Sequence, residues 1–369
     1  MAGIYIHIPF CRSRCIYCGF YSTTSLALRQ QYVDALCREM EMRPSGAPVS
    51  TIYLGGGTPS QLSTGQLHQI FDALYIYNKV ETDAEVTIEC NPDDITTAFA
   101  EGLRTLSVNR VSMGVQTFND ERLRFLHRRH TAAQAVEAVG RLRKAGFTNI
   151  SIDLMYGFPG ETLEDWHSDI EAATALNVEH ISAYCLMIEE GTPLYKWSMV
   201  NGQWSMDEEL ERQMYYTLID HLEAAGYEHY EISNFARPDY CSRHNSSYWN
   251  GTPYIGLGAA AHSYDGNSRS WNISDIHQYV EGIENRQPCF EQEQLDDDTR
   301  YNDAVTVALR TREGLDLSKL SDRHCQYCLR EAQRFIDGGL LRLSPDRRLS
   351  LTREGLFVSD MVMSDLIII

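Results

Sequence analysis

The stretch GIYIHIPFCRSRCIYCGF, residues 3–20, sets the terms for the whole chain. Its first part, Gly3–Ile8, is a short β-rich run. The loop after it carries Cys11, Cys15 and Cys18 in the spacing C-x3-C-x2-C. Three thiolates this close can ligate three irons of a cubane [4Fe–4S] cluster, leaving the fourth iron without a protein ligand. An open position on a metal site implies that something other than protein binds there. Zinc with a distant fourth ligand, or three unrelated cysteines, are the competing readings. The loop position and the tight spacing favour the cluster.

Outward from that loop the chain alternates β-rich runs and helical patterns every 25–35 residues or so, the βαβ signature of a parallel sheet. The strands are expected at Gly3–Ile8, Thr51–Leu54, Glu85–Glu89, Arg110–Gly114, Asn149–Tyr156 and His180–Leu186. Helices are expected near Leu28–Met42, Thr64–Ile76, Thr96–Leu106, Ala132–Ala145 and Leu163–Leu176. Ser63 and Gln66 have capping-box spacing, and Gly146 stands where a glycine stops the fourth helix. Six such units suit an open or partly closed (βα) barrel, with a doubly wound sheet as the competing α/β architecture. The regularity ends near Leu186. Residues 187–300 mix turns, a helical pattern from Met206 to Ala225 and the small-residue stretch Gly256–His262. Helical patterns at Tyr301–Arg310, Leu317–Leu320 and Leu329–Gly338 then precede short strands at Leu340–Leu343 and Leu349–Leu351, a winged-helix-like α+β module. The expected division is a core at 1–230, a connecting segment at 231–298 and the module at 299–369.

Composition narrows the function classes. Lysine and arginine number 32 against 51 acidic residues, a formal charge of −19. That balance argues against sequence-independent gripping of nucleic acid. No apolar run of ~18 residues predicts a membrane span, and MAGIYIHIPFC lacks the basic and apolar regions of a signal peptide. Ten cysteines in 369 residues are too sparse for a disulfide scaffold, so a cytoplasmic protein with a metal-binding Cys cluster is expected.

Gly55-Gly56-Gly57-Thr58-Pro59 follows the second strand, and successive glycines let backbone groups approach a ligand closely. Glu89, Gln116, Arg128 and Asp153 sit at or just past the ends of successive strands, or in the segment that follows. Ligands of parallel βα folds bind at that edge, so these positions converge on the cysteine loop. Each alone reads as an ordinary polar strand end; four on one edge point to a ligand site.

C-x3-C-x2-C with Tyr17 before the last cysteine resembles the radical S-adenosylmethionine superfamily. The resemblance implies that S-adenosylmethionine chelates the open iron through its amino and carboxylate groups, and that one-electron reduction cleaves it to a 5′-deoxyadenosyl radical. The chain is similar, over essentially its whole length, to the branch containing oxygen-independent coproporphyrinogen III oxidase. That likeness implies S-adenosylmethionine contacts at Tyr5, Gly56, Gly57, Thr58, Glu89, Gln116, Arg128, Asp153 and Met187. In it Arg128 pairs with the methionine carboxylate, Gln116 and Asp153 bond the ribose, and the backbone at Met187 reaches the adenine. One departure matters: the oxidase has a fourth cysteine two positions after the third, and Phe20 stands there. C-x3-C-x2-C-x-F resembles instead the heme chaperone subgroup HemW, and His244-Asn245-Ser246-Ser247-Tyr248-Trp249 resembles its H-N-x-x-Y-W heme-binding motif. His244 can supply an imidazole to heme iron, while Tyr248 or Trp249 can stack on the porphyrin. His262 and Cys241 are weaker alternative ligands.

The implied function is binding of heme and its transfer to acceptor proteins, membrane-associated ones included, with a [4Fe–4S] cluster and exchangeable S-adenosylmethionine. A homodimer is left open. The rivals are coproporphyrinogen III decarboxylation, against which Phe20 counts, and radical modification of RNA, against which the acidic charge counts. Cys325-x-x-Cys328 reads as two ordinary small side chains between helices, and Cys37, Cys90, Cys185 and Cys289 as buried spacers. Asp296-Asp297-Asp298 reads as a solvated linker with a helix N-cap. Arg342, Arg347 and Arg348 on the wing are thin support for DNA binding. Leu366–Ile369 is too short for a bilayer anchor and is expected to pack on a neighbour or a membrane protein.

Overall fold

The pleat of the first strand separates core from site at once. In β1 (Ala2–Ile8), Ile4, Ile6 and Ile8 point one way and are buried, while Tyr5 and His7 point the other. A computed structural model describes residues 2–201 and 205–369 of the chain. In it β1 is followed by β2 (Val49–Gly56), β3 (Val80–Cys90), β4 (Arg110–Gln116), β5 (Ile150–Tyr156) and β6 (His180–Cys185). These six pair in sequence order and in parallel, the open (βα)6 arrangement expected of a partial barrel. Their outer faces are apolar and pack against the intervening helices. The helix Thr64–Tyr77, for instance, buries Leu67, Ile70, Phe71 and Leu74 at helical spacing. Its capping box pairs Ser63 with Gln66 in both directions, and Gly146 has φ +91° just past the helix Ala132–Lys144.

The segment after β6 is more regular than its sequence suggests. It supplies β7 (Glu228–Glu231), β8 (Asn234–Ala236), β9 (Tyr254–Leu257), β10 (His262–Tyr264), β11 (Ser268–Asn272) and β12 (Phe290–Gln294). The pair β8–β7 extends the sheet beyond β6, while β9 lies parallel to β1 and leads antiparallel through β10 and β11 to β12. These strands span three to five residues and several are mostly polar, FEQEQ in β12 above all, so they carry little alternation to detect.

The C-terminal module has its own core, built on Tyr301, Val305, Leu309, Phe335 and Val362. Its sheet has three strands, β13 (Leu315–Asp316), β15 (Arg348–Leu351) and β14 (Leu341–Leu343), and the first of these is too short to read from sequence. Three expectations are corrected here. The helix expected at Leu329 begins at Asp322, capped by Ser321, so Cys325 and Cys328 lie inside it and are buried. The apolar tail packs on its own module: Tyr301 donates to the Leu366 carbonyl at 2.8 Å, and Asn302 bonds Ile368 through both its N–H and its carbonyl. Cys37 and Cys185 are only half-buried, unlike Cys90 and Cys289. Among the described residues no helix is long and apolar enough to cross a membrane.

Candidate functional site

The inner face of the six strands is polar, and its register stacks the candidate residues in rows. Tyr5, Tyr53, Thr87 and Arg110 are neighbours across β1–β4, and Glu89, Ser112, Ser151 and His180 form the row above across β3–β6. At the C-terminal edge the turn after β2 and the cysteine loop lie in contact. A Cβ on Gly57 would stand 2.8 Å from the Ile8 carbonyl oxygen, and Gly56, at φ +105°, would drive one into the His7 ring. Only glycine fits this close approach.

Arg128 holds the two halves of the edge together. Its guanidinium donates to Cys15 Sγ at 3.5 Å, to Asn91 Oδ1 at 2.7 Å and to the Gly114 carbonyl at 2.6 Å. Asn91 in turn donates to Thr58 Oγ1 at 3.4 Å, and Thr58 meets Cys11 Sγ at 3.6 Å. Arg128 Nε is buried without a partner among the described residues, an orphaned donor of the kind that suits an incoming carboxylate. Gln116 sits at φ +71° where β4 slips register against β5, a bulge that re-aims its side chain at the strand end.

Two carboxyls flank this array. Glu89 accepts from the Tyr53 hydroxyl at 2.7 Å and from Gly56 N–H at 3.2 Å. Burial pushes its pKa up to about 7 despite those bonds. Burial likewise raises Asp153 to about 6, opposed by Arg110 and by hydrogen bonds from Ser182 and Ser112. Tyr5 donates toward His7 Nδ1 across 3.0 Å and lies over Tyr53. Met187 follows β6 and is 67% exposed.

Cys11, Cys15 and Cys18 are free, half-buried thiols on one loop. Burial first raises the pKa of Cys11 and Cys18, and the charge of Cys15 raises both further. Among the described residues no three His, Cys, Asp or Glu side chains are gathered tightly enough to hold a single metal ion. A cubane spreads its ligands over three irons, so its thiolates stand further apart than ligands of one ion. The donor set, with Arg128 beside Cys15 and an orphaned N–H next to it, fits a three-thiolate cluster with a carboxylate-bearing ligand on its open corner.

The H-N-x-x-Y-W segment lies in a helix, Arg243–Trp249, and not in a loop. Its first N–H groups donate to Glu85, at 2.9 Å from both Arg243 and His244. His244 is 1% exposed. Its Nδ1 meets Thr51 Oγ1 at 2.9 Å, its Nε2 meets the Tyr248 hydroxyl at 2.8 Å, and its ring stacks on Tyr53 at 5.1 Å and 24°. Burial first, then Arg110, pushes its pKa down to about 3, so the imidazole is neutral. Asn245 and Tyr248 are half-buried, and Trp249 lies under the Arg310 guanidinium at 5.0 Å. His262 is exposed on β10 beside Trp271, and Cys241 is half-buried at the turn before the helix.

Sequence reasoning missed Tyr53, Asn91 and Arg110. For Tyr53 and Arg110 the signal was there in the alternation: along Thr51–Gly55, Glu85–Glu89 and Arg110–Gly114 each second residue is polar, aromatic or glycine, and those between are Ile, Leu, Val and Met. Arg110 is 1% exposed, and its Nε and Nη1 find no partner among the described residues.

With this geometry in view, comparison with known proteins is decisive on family. Residues 5–173 match the radical SAM superfamily and residues 295–358 the HemN C-terminal domain. The chain is similar to the heme chaperone HemW of Bacillus subtilis, 35% identical over 88% of this chain and 87% of the relative. It is also similar to the heme chaperone HemW of Mycobacterium tuberculosis, 34% identical over 99% of this chain and 94% of the relative. Its fold is that of the coproporphyrinogen III oxidase HemN from Escherichia coli, with a TM-score of 0.83 over 99% of this chain and 90% of that one, at 24% identity. A polar inner sheet face, a three-cysteine loop and relatives aligned almost end to end place the chain in the radical SAM superfamily and, within it, in the HemW family.

Proposed function

We propose that this protein is a heme chaperone that binds heme and passes it to acceptor proteins. Cys11, Cys15 and Cys18 would hold a [4Fe–4S] cluster; the cradle of Tyr5, Gly56, Gly57, Thr58, Glu89, Gln116, Arg128, Asp153 and Met187 would hold exchangeable S-adenosylmethionine. When bound, the cluster supplies an open iron and a one-electron reductant. This chain's own part is to orient the ligand. Arg128 Nε is free to take a carboxylate, the Glu89 carboxyl faces the glycine turn where an ammonium would sit, and Asp153 and Gln116 offer polar atoms for hydroxyls. Acceptors would be proteins of the same compartment, the cytoplasm, or of its membrane.

The observation that carries the heme reading is the state of His244. Metal ligation needs an unprotonated imidazole, and a pKa of about 3 keeps it so throughout the physiological range. Releasing Nε2 from Tyr248 forfeits one neutral hydrogen bond, about 1 kcal/mol, which an iron–imidazole bond outweighs. Because His244 is buried, ligation requires the helix Arg243–Trp249 to swing off β2. Phe20, 70% exposed on the cluster loop, leaves no thiol at the position of the oxidase's fourth cysteine.

The test is anaerobic cluster reconstitution followed by hemin titration, read by absorbance, on wild type and His244→Ala. Stoichiometric binding that weakens at least tenfold in the variant is expected. Absence of hemin binding, with deoxyadenosine released on adding coproporphyrinogen, would make the protein an oxidase instead.

A further inference from the structure

We infer that Tyr53 links the two ligand sites with opposite sign, so that S-adenosylmethionine in the cradle weakens the hold on heme; this rests on the reading of His244 as the heme ligand. Tyr53 is a positioning residue common to both sites. Its hydroxyl donates to Glu89 Oε1 at 2.7 Å, and the other oxygen of that carboxyl accepts Gly56 N–H, in the glycine turn against the cysteine loop. Its ring is the surface on which the His244 imidazole lies at 5.1 Å. One side chain therefore touches the carboxyl of the cradle with its head and the imidazole of the heme motif with its face.

The two states can be named. In the state described, His244 is tucked between Thr51 and Tyr248, Tyr53 is stacked against it, and the Tyr53 hydroxyl stays in line with Glu89. Iron ligation withdraws the imidazole, which leaves Tyr53 without the ring that fixes its plane and frees its hydroxyl to leave Glu89. A ligand ammonium on Glu89 does the reverse. It fixes the carboxyl, hence Tyr53, hence the tucked imidazole. Each ligand thus prefers a different position of the same tyrosine, and differential affinity for two states is what couples two sites. The coupling is reciprocal: heme weakens S-adenosylmethionine by the same factor.

The experiment is hemin titration of cluster-reconstituted protein with and without saturating S-adenosylmethionine, and the converse titration with hemin saturating. In wild type S-adenosylmethionine is expected to weaken hemin about five- to tenfold, with the same factor in the converse experiment. Tyr53→Phe keeps the ring and removes the hydroxyl, and the ratio of the two hemin affinities should fall to one whatever their separate values. A merely structural role would lower both affinities and keep the ratio. Thr51→Val gives a second variant: it loosens His244 without touching the Tyr53–Glu89 bond, so hemin should tighten while the S-adenosylmethionine effect persists. Hemin affinity indifferent to S-adenosylmethionine in wild type, or a ratio unchanged by Tyr53→Phe, overturns the inference alone. Hemin binding indifferent to His244→Ala overturns the heme-ligand reading and this inference with it.

Discussion

Glu89 is where a single carboxyl's titration reports on the site. Its pKa in the fold, about 7, lies above the ordinary glutamate value, so between ~4.3 and ~7 the folded protein holds a proton that the unfolded chain has lost. Stability contributed here therefore falls as pH rises through that window. Relative to wild type, Glu89→Gln should gain thermal midpoint on going from pH 5 to pH 8, measured by calorimetry on the unliganded protein; a constant offset would refute the assignment. The ionised form is the one that attracts an ammonium, so S-adenosylmethionine affinity should rise from pH 6 to pH 8 in wild type and lose that rise in the variant. Arg128→Met tests the opposite pole. It removes the bonds to Cys15, Asn91 and Gly114, and S-adenosylmethionine binding measured by equilibrium dialysis should weaken by more than about tenfold, the scale of a lost charge-assisted pair.

On the proposed reading, the element that would decide heme access is the helix Arg243–Trp249. It is held by Glu85 at its start, by the two hydroxyls on His244 and by stacking on Tyr53. Tyr248→Phe keeps the ring and frees Nε2, so hemin should bind about fivefold more tightly, the worth of one neutral hydrogen bond; weaker binding would show that the hydroxyl serves heme directly. The sequence does not announce this helix, because it is seven residues long and follows a turn-rich run, with no hydrophobic repeat. The long helices were legible, because Ser63 and Gln66 or Gly146 state a beginning or an end in local chemistry. The cysteine loop and the strand-end residues were legible for a different reason: parallel βα topology sends every strand end to one edge, so position in the alternation gives position in space. Tyr53 and Arg110 face that same interior from mid-strand or strand start; the alternation puts them on the polar face, but it does not say whether that face lines a ligand site or a core.

At the scale of the molecule, the C-terminal module docks on the barrel through Arg310 and Arg353. Arg310 Nη2 pairs with Glu231 at 2.9 Å while its guanidinium covers Trp249, and Arg353 reaches Asp220 at 2.7 Å. Glu231 is 2% exposed, and Asn234 and the Ser233 N–H also bond its carboxylate. Arg310→Met leaves that buried charge without its cation, a loss of about 1–3 kcal/mol, and should lower the thermal midpoint by several degrees. An unchanged midpoint would mean that water replaces the arginine. The module's helices were legible in outline from apolar periodicity, whereas its contact with Trp249 was not, since it joins residues distant in sequence.

The placement of β9 against β1 also orders events in time. β1 and the cysteine loop leave the ribosome before β9, and the strand that covers the open edge of β1 is made roughly 250 residues later, a delay of some tens of seconds at about 5–20 residues per second. Until then the His7 carbonyl lacks the neighbouring Gly258 turn and the first strand presents a bare edge next to the cysteine loop. A cluster held on Cys11, Cys15 and Cys18, as proposed, would accordingly load late in the life of a new chain, and a stall before Leu257 would leave these nascent thiols open to oxidation.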